Sequence, residues 1–250
     1  MKIFKKGILF LALLVFVAVS AQDSQPTMYH VHMDNVKFSK MQQYEEVAKE
    51  MNDALVEHNI QGTWMAFSIS DGRYVFSSPI EKMADLDKNP MGELYKKMGE
   101  EKASAMFKKM NECYDTHSDY IVHFSPELSY QPENTTPSTG NYREYHFMYY
   151  ASKDSEDMYE GMKAVKELFK SKGITNGYSV FHSGFGSPES YYMVSISGES
   201  ELESAQNGED NNKNLGAERQ ATFYKVISLT TKYEKLEGRY RPDLSYSPKN

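Results

Sequence analysis

The feature that most constrains the fold is an internal repeat. The segment 123–132, with the sequence HFSPELSYQP, recurs as RYRPDLSYSP at 239–248, an offset of 116 residues. The same offset pairs Tyr29-His30 with Tyr145-His146. Separate matches at one offset predict two copies of a structural unit of roughly 105 residues. Two copies are too few for a solenoid, so we expect two modules packed against each other.

The first residues carry a leader pattern. Residues 1–21 combine three lysines, an unbroken apolar run and small residues just before Gln22, which is typical of a secretory signal peptide. The apolar run has about 12 residues, whereas a bilayer-spanning helix needs about 20. We therefore expect an exported protein, periplasmic or extracellular, with no stable membrane insertion once the leader has been removed.

The remaining chain divides at a polar segment. Residues 131–141 are rich in Pro, Thr, Asn and Gly, which predicts a linker between a first unit at 22–130 and a second at 142–250. Hydrophobic periodicity predicts the order β-α-β-β-α-β in each unit, with a hairpin at Asp71-Gly72 in the first. The polar stretch 198–214 predicts a loop before the last helix.

Composition excludes several classes of protein. The full chain has 250 residues and a formal net charge of −7, which argues against nucleic acid as a partner. The single cysteine, Cys113, excludes an intramolecular disulfide and a cysteine-rich zinc site. The 19 tyrosines and 13 phenylalanines are consistent with amphipathic strands of two packed sheets.

The predicted element order is the ferredoxin-like pattern. On that order and its duplication over residues 28–248, the chain resembles the dimeric α/β-barrel superfamily, in which two such sheets face each other and close a barrel. The resemblance implies an α+β fold with two tandem ferredoxin-like modules in a pseudo-dimeric barrel. The superfamily includes antibiotic-biosynthesis-type monooxygenases and chlorite-dismutase-like haem proteins, although the fold alone does not confer their activities.

The two-residue period of strands sorts side chains by face. In the first strand we expect the apolar set Tyr29, Val31 and Met33 to meet the helices, which would turn His30 and His32 into the barrel. The same argument on the other strands predicts a cavity between the two sheets. Its candidate ligand-binding residues are His30, His32, Trp64, His123, His146, Tyr178 and His182.

Three interpretations of this cluster stay open. The histidines could be ordinary polar groups with satisfied hydrogen bonds. They could line a pocket for a small aromatic or planar molecule. His30 and His32, two apart on one strand face, could also bind one divalent metal ion, with Asp34 or His146 as a further ligand.

Haem is a separate alternative that comes from the resemblance. Haem-binding members generally take their proximal histidine from a helix, and here His58 and His117 lie near predicted helix ends rather than within a helix. The haem ligand of the superfamily is therefore not carried over to a residue of this chain.

The favoured function is small-molecule binding between the two sheets by an exported, soluble protein without a cofactor. The first alternative is a monooxygenase-like or metal-dependent enzyme that uses the same cavity, with haem or a divalent metal as its cofactor. The second is a structural or interaction protein with no small-molecule site. The sequence identifies no catalytic residue, ligand or oligomeric state.

Overall fold

The computed structural model describes residues 27–133, 138 and 140–248, so the predicted leader and part of the linker lie outside the described residues. Within them, eight strands form one closed antiparallel barrel, accompanied by six α-helices. The strands are Met28–Val36 (β1), Met65–Ile69 (β2), Arg73–Ile80 (β3), Tyr114–Phe124 (β4), Tyr142–Tyr150 (β5), Ser179–Ser183 (β6), Tyr191–Gly198 (β7) and Thr230–Tyr240 (β8). The helices are Met41–Glu57 (α1), Pro90–Met98 (α2), Glu100–Asn111 (α3), Ser155–Ser171 (α4), Glu201–Leu215 (α5) and Glu218–Ile227 (α6).

The strand order around the barrel is β1-β3-β2-β8-β5-β7-β6-β4. Each half of the chain thus contributes four neighbouring strands, in the order β4-β1-β3-β2 for the first half and β8-β5-β7-β6 for the second. Two antiparallel seams join the halves, one between β2 and β8 and the other between β4 and β6. The predicted α+β class and α/β barrel are therefore confirmed.

The barrel interior, which we call the lumen, is lined by alternate residues of every strand. On β1 these are Tyr29, Val31 and Met33, so His30 and His32 lie on the outer face of the sheet. The predicted orientation of these side chains is therefore wrong. It assumed that an apolar strand face must meet helices, whereas a closed barrel also has an enclosed interior that bulky apolar side chains fill.

The offset between the two units changes along the chain. β4 and β8 match at 116 residues, as the repeat predicts, but the bulge at Val36 in β1 corresponds to the bulge at Tyr150 in β5, an offset of 114. His146 is thus the structural counterpart of His32, not of His30 as the sequence match indicated. The β6–β7 connection is four residues longer than the turn between β2 and β3, and the segment between β7 and β8 is two residues shorter than the one between β3 and β4, so the offset rises from 114 to 118 and then falls to 116.

The repeated segments pack reciprocally into opposite halves. Leu128, which follows β4, lies in the hydrophobic core of the second half, and Leu244, which follows β8, lies in that of the first. Two residues beyond each leucine a tyrosine donates a hydrogen bond across the halves, Tyr130 to the Ile174 carbonyl and Tyr246 to the Ile60 carbonyl, both at 2.7 Å. Each copy of the duplicated motif therefore packs into the hydrophobic core of the opposite half, and we call these two copies the exchanged segments.

The polar stretch predicted as a loop is largely helical. α5 begins after Ser200, whose hydroxyl accepts a hydrogen bond from the Glu203 backbone amide, and Glu203 bonds back to the Glu199 amide at 2.6 Å. This arrangement resembles a capping box and starts the helix, while the buried Leu215 anchors its end. In the part of the chain that the structure describes, no helix is long and apolar enough to cross a membrane.

Candidate functional site

The structure does not bring the seven predicted site residues to one cavity. His146 and Tyr178 line a cleft outside the barrel, between the second half's sheet and its helices. The lining residues described for that cleft and for the lumen include none of the other five candidates.

Trp64, a predicted ligand-binding residue, belongs to the hydrophobic core of the first half. Its ring packs 5.0 Å from the Tyr246 ring, and its Nε1 donates a hydrogen bond to the Leu244 carbonyl at 3.2 Å. The residue is 7% exposed. Trp64 therefore anchors the exchanged C-terminal segment and lines no described cavity.

His123 and His182 form a stacked pair at the seam between β4 and β6. They are direct cross-strand partners, with ring centroids 4.8 Å apart and planes 12° from parallel. Burial lowers the pKa of His123, and the neighbouring His182 lowers it further. The neutral form of His123 is thus favoured, which suits ring packing at the seam between the halves.

His30 and His32 share a carboxylate on the outer face of the first sheet. Both donate hydrogen bonds to Asp119 Oδ1, His30 from Nε2 at 3.0 Å and His32 from Nδ1 at 2.9 Å. Asp34, next to the other ring nitrogen of His32, and Asp119 raise the pKa of His32 to about 9. His117 lies beside this group, with its ring centroid 5.5 Å from that of His32.

The cleft is the larger of the two described cavities, with a volume of about 720 Å³ against about 480 Å³ for the lumen. Its floor is the outer face of β5, β7 and β8, and its walls come from α4, α5 and α6. The apolar lining residues include Met148, Met162, Val165, Phe169, Val194, Ile196 and Phe223. In the first half, the outer face of the sheet is instead covered by a packed core that contains Tyr44, Trp64 and Leu94.

Three polar side chains on β5 and β8 form a hydrogen-bonded chain at the floor of the cleft. His146 donates a hydrogen bond from Nε2 to Glu144 Oε1 at 2.6 Å. With a single proton, on Nε2, the ring can accept at Nδ1 the hydroxyl of Tyr233, which lies 2.6 Å away. We call Glu144, His146 and Tyr233 the relay, since a proton can pass from the phenol to the imidazole.

Neighbouring charges fix the relay electrostatically. The hydrogen bond from His146, together with Lys235 at 2.9 Å, lowers the pKa of Glu144 to about 2. Burial and the Glu144 charge raise the pKa of Tyr233. Glu144 is therefore an anion that orients the imidazole, while Tyr233 keeps its proton until a base removes it.

Two further polar groups in the cleft lack partners. Arg219 Nε and the Tyr178 hydroxyl are buried and make no hydrogen bond among the described residues. The Arg219 guanidinium lies 5.3 Å from the centre of the Phe223 ring. Unpaired buried polar atoms are costly in a folded protein, so these two groups would gain from a ligand that carries oxygen atoms.

The lumen offers fewer free polar groups. Its two arginines are both engaged, Arg73 by Asp71 and Arg143 by the Gly140 and Tyr142 carbonyls. Burial raises the pKa of Tyr120 and Tyr145, which also line it. The lumen is thus a mainly apolar cavity whose arginines are already paired.

Of the polar residues that line the cleft, His146 and Tyr178 were predicted from the sequence, although inside the barrel, and Glu144, Tyr233 and Arg219 were not. The alternation of Glu144 and His146 on one strand was a usable signal, because it places a carboxylate beside an imidazole. Tyr233 could not be found in this way, since it lies on β8 and reaches the relay only through the β5–β8 pairing.

The donor set of the cleft does not fit a haem held by a histidine on a helix. The sequences of α4, α5 and α6 contain no histidine. The one histidine that lines the cleft, His146, is on a strand, and both its ring nitrogens are engaged by the relay. An axial imidazole would have to break one of these two short hydrogen bonds.

The fold and the cleft define an eight-stranded α/β barrel with an apolar pocket on its outer face. No protein-family model matches the sequence, and no curated protein matches it. Solved structures do match: a candidate monooxygenase from Lactobacillus acidophilus is 9% identical, with a TM-score of 0.51 over 89% of this chain and 97% of its own. An anthrone oxidase-like protein is 10% identical, with a TM-score of 0.55 over 87% and 92%.

A mutant chlorite dismutase from Candidatus Nitrospira defluvii is 8% identical, with a TM-score of 0.52 over 88% of this chain and 94% of its own. At sequence identities this low, the matches show that the folds are similar and show nothing about activity. The resemblance to the dimeric α/β-barrel superfamily is thereby confirmed at the level of the fold.

Proposed function

We propose that this protein binds a small aromatic molecule bearing a hydroxyl group, in the cleft of its second half. The observation that carries the proposal is an apolar cavity of about 720 Å³ that contains the relay and two unpaired buried polar groups. Apolar walls with a few convergent polar groups are the usual form of a ligand site. This proposed site lies on the outer face of the second half's sheet, whereas the sequence predicted a site between the two sheets.

The relay is the reason we expect the ligand to carry a hydroxyl group. Tyr233 directs its proton to His146, so its oxygen keeps lone pairs that can accept a hydrogen bond from a ligand hydroxyl. If His146 takes the tyrosine proton, the ligand can pass its own proton to Tyr233. The site can therefore bind a phenol and also favour its phenolate.

Gly208 on α5 provides a test that preserves the fold. It lines the cleft, and a Cβ at this position would meet no atom within 4 Å. Gly208→Phe should fill the cleft and weaken binding of 2-naphthol at least about tenfold, read by ligand fluorescence, because a tenfold loss needs only about 1.4 kcal/mol. Gly208→Ala is the matched control, since both changes remove a glycine from a helix but only one occupies the cavity.

A second variant tests the polar contact. Tyr233→Phe should weaken 2-naphthol binding and leave naphthalene binding unchanged, because only the hydroxyl contact is lost. Equal binding of 2-naphthol by the wild type, Gly208→Phe and Tyr233→Phe would contradict the proposal.

A second candidate function is oxidation of the bound hydroxyaromatic by O₂, and the relay is the observation that favours it. Removing the phenolic proton produces an electron-rich anion, and the fold neighbours include a candidate monooxygenase and an anthrone oxidase-like protein. The probe is anthrone, whose enol tautomer is a hydroxyaromatic and which gives the same anion on loss of a proton. The protein should accelerate its O₂ uptake in an oxygen electrode, and His146→Gln should abolish the acceleration. Uptake equal to that of buffer would exclude this activity for anthrone.

We also propose that the chain is an exported protein built from two ferredoxin-like modules. The repeat and the identical strand order of the two halves support the modules, and the sequence of residues 1–21 supports export. Terminal sequencing of the protein from a secreting host should find Gln22 first. An uncleaved start at Met1 would contradict the export proposal.

A further inference from the structure

We propose a second site, independent of the cleft, where His32, Asp34 and His117 bind one divalent transition-metal ion on the outer face of the first sheet. Each residue offers one ligand atom, and the three atoms lie within 4.8 Å of one another. Two imidazoles and one carboxylate form a donor set that zinc and non-haem iron(II) both accept, with coordination positions left for water or substrate.

The strand pairing explains why these residues meet. On β1 the alternation places His32 and Asp34 on one face, and β4 places His117 directly opposite Asp34. Asp119 is in turn directly opposite His32. The group is therefore built on two paired strands, which hold ligands more rigidly than a loop would.

The buried carboxylate is oriented toward the proposed ion. Asp34 is 4% exposed, and its Oδ2 accepts the Tyr44 hydroxyl at 2.6 Å. Its Oδ1 makes no well-aligned hydrogen bond, although His32 Nε2 lies 3.2 Å away. Asp34 Oδ1 thus lies within reach of both imidazoles, and a metal ion would take the place of the proton between Asp34 and His32.

A second layer of residues orients the ligands. His32 donates a hydrogen bond from Nδ1 to Asp119, which leaves Nε2 directed toward Asp34. A carboxylate behind a ligand imidazole, here Asp119, is the usual support of a metal-binding histidine. Tyr44 supports Asp34 in the same way, so two of the three ligands have an outer partner.

The second half does not repeat this set. At the positions of His32, Asp34 and His117 it has His146, Met148 and Tyr233, given the shared bulge positions. The same place on the two sheets thus carries metal ligands in the first half and the relay in the second. This asymmetry predicts one metal ion per chain.

The test uses untagged protein lacking residues 1–21 and adds Co²⁺ or Zn²⁺ alone at about pH 8. The metal ion must there displace the proton that Asp34 and Asp119 hold on His32, because an imidazole binds metal only when deprotonated. We expect visible Co²⁺ d–d absorption that saturates at one ion per chain, and displacement of the Co²⁺ by Zn²⁺. His117→Ala should weaken binding more than about tenfold, and Asp119→Asn about tenfold or more through the outer shell. His117 is exposed, so its removal should leave the circular dichroism spectrum unchanged.

His58→Ala is the matched control, since it removes an imidazole at the end of α1, outside this group. It should bind Co²⁺ as the wild type does. Absence of the Co²⁺ absorption in the wild type would overturn the proposal, as would equal binding by wild type and His117→Ala. Neither result would bear on ligand binding in the cleft.

Discussion

At the scale of single residues, Glu144 sets the direction of the hydrogen bonds in the relay. It accepts hydrogen bonds from His146 and Lys235 and thereby stays ionised. An ionised Glu144 holds the His146 proton on Nε2 and leaves Nδ1 free to accept the Tyr233 hydroxyl. One strand residue therefore fixes the direction of both hydrogen bonds in the relay.

The lowered pKa of Glu144 predicts a pH dependence of stability. Its pKa falls from the ordinary value of 4.5 to about 2, so its contribution to stability is present above pH 4.5 and is lost as the pH falls toward 2. Glu144→Gln removes that contribution. Its free energy of unfolding in urea should therefore change less than that of the wild type between about pH 5 and about pH 3.

The control for this prediction is Glu160→Gln on α4, where the side chain is exposed. It should keep the acid dependence of the wild type. If Glu144→Gln also keeps that dependence, Glu144 does not stabilise the relay as described.

At the scale of elements, the exchanged segments bind the two halves together. Leu244 is 1% exposed in the first half's core, although it follows the last strand of the second half. Ser245 repeats the role of Ser129, since each hydroxyl accepts a hydrogen bond from a backbone amide of the opposite half. The C-terminal segment is therefore an integral part of the first half's core.

Shortening the Leu244 side chain should destabilise the protein. Leu244→Ala should lower the free energy of unfolding by about 2–5 kcal/mol, as is usual for a buried leucine. Leu202→Ala, at a position on α5 that is 68% exposed, should change it by less than about 0.5 kcal/mol. Urea unfolding measures both, and similar values for the two variants would contradict the exchange.

How much the sequence could predict differs between elements. The repeat and the hydrophobic periods predicted both sheets, and the Asp71-Gly72 hairpin is confirmed between β2 and β3. The side-chain orientation on β1 was wrong because both faces of a barrel sheet are apolar in places, and alternation alone does not say which face is enclosed. α5 was missed because its residues are mostly polar, so periodicity gave no signal and only Ser200 with Glu203 indicated a helix start.

At the scale of the whole molecule, we expect the barrel to unfold as one cooperative unit. Each half supplies a leucine and a tyrosine to the core of the other, and two strand seams close the barrel between them. Neither half keeps a complete core without its partner. The two halves have the same strand order, but each completes its hydrophobic core with residues of the other.

Cooperativity has a direct spectroscopic test. Trp64 is the only tryptophan in the sequence and lies in the first half's core. Its fluorescence and the far-ultraviolet circular dichroism of the whole chain should follow one urea transition with the same midpoint. Two separated midpoints would show that the halves unfold independently.

The central claim, an aromatic ligand in the cleft, is tested most directly by NMR of methyl-labelled methionines during a titration with 2-naphthol. Met148 and Met162 line the cleft, whereas Met33, Met65 and Met193 line the lumen. We predict that the signals of the two cleft methionines shift, because an aromatic ring lies against them, while the three lumen signals stay in place. Shifts confined to the lumen methionines, or no shift at all, would contradict the claim.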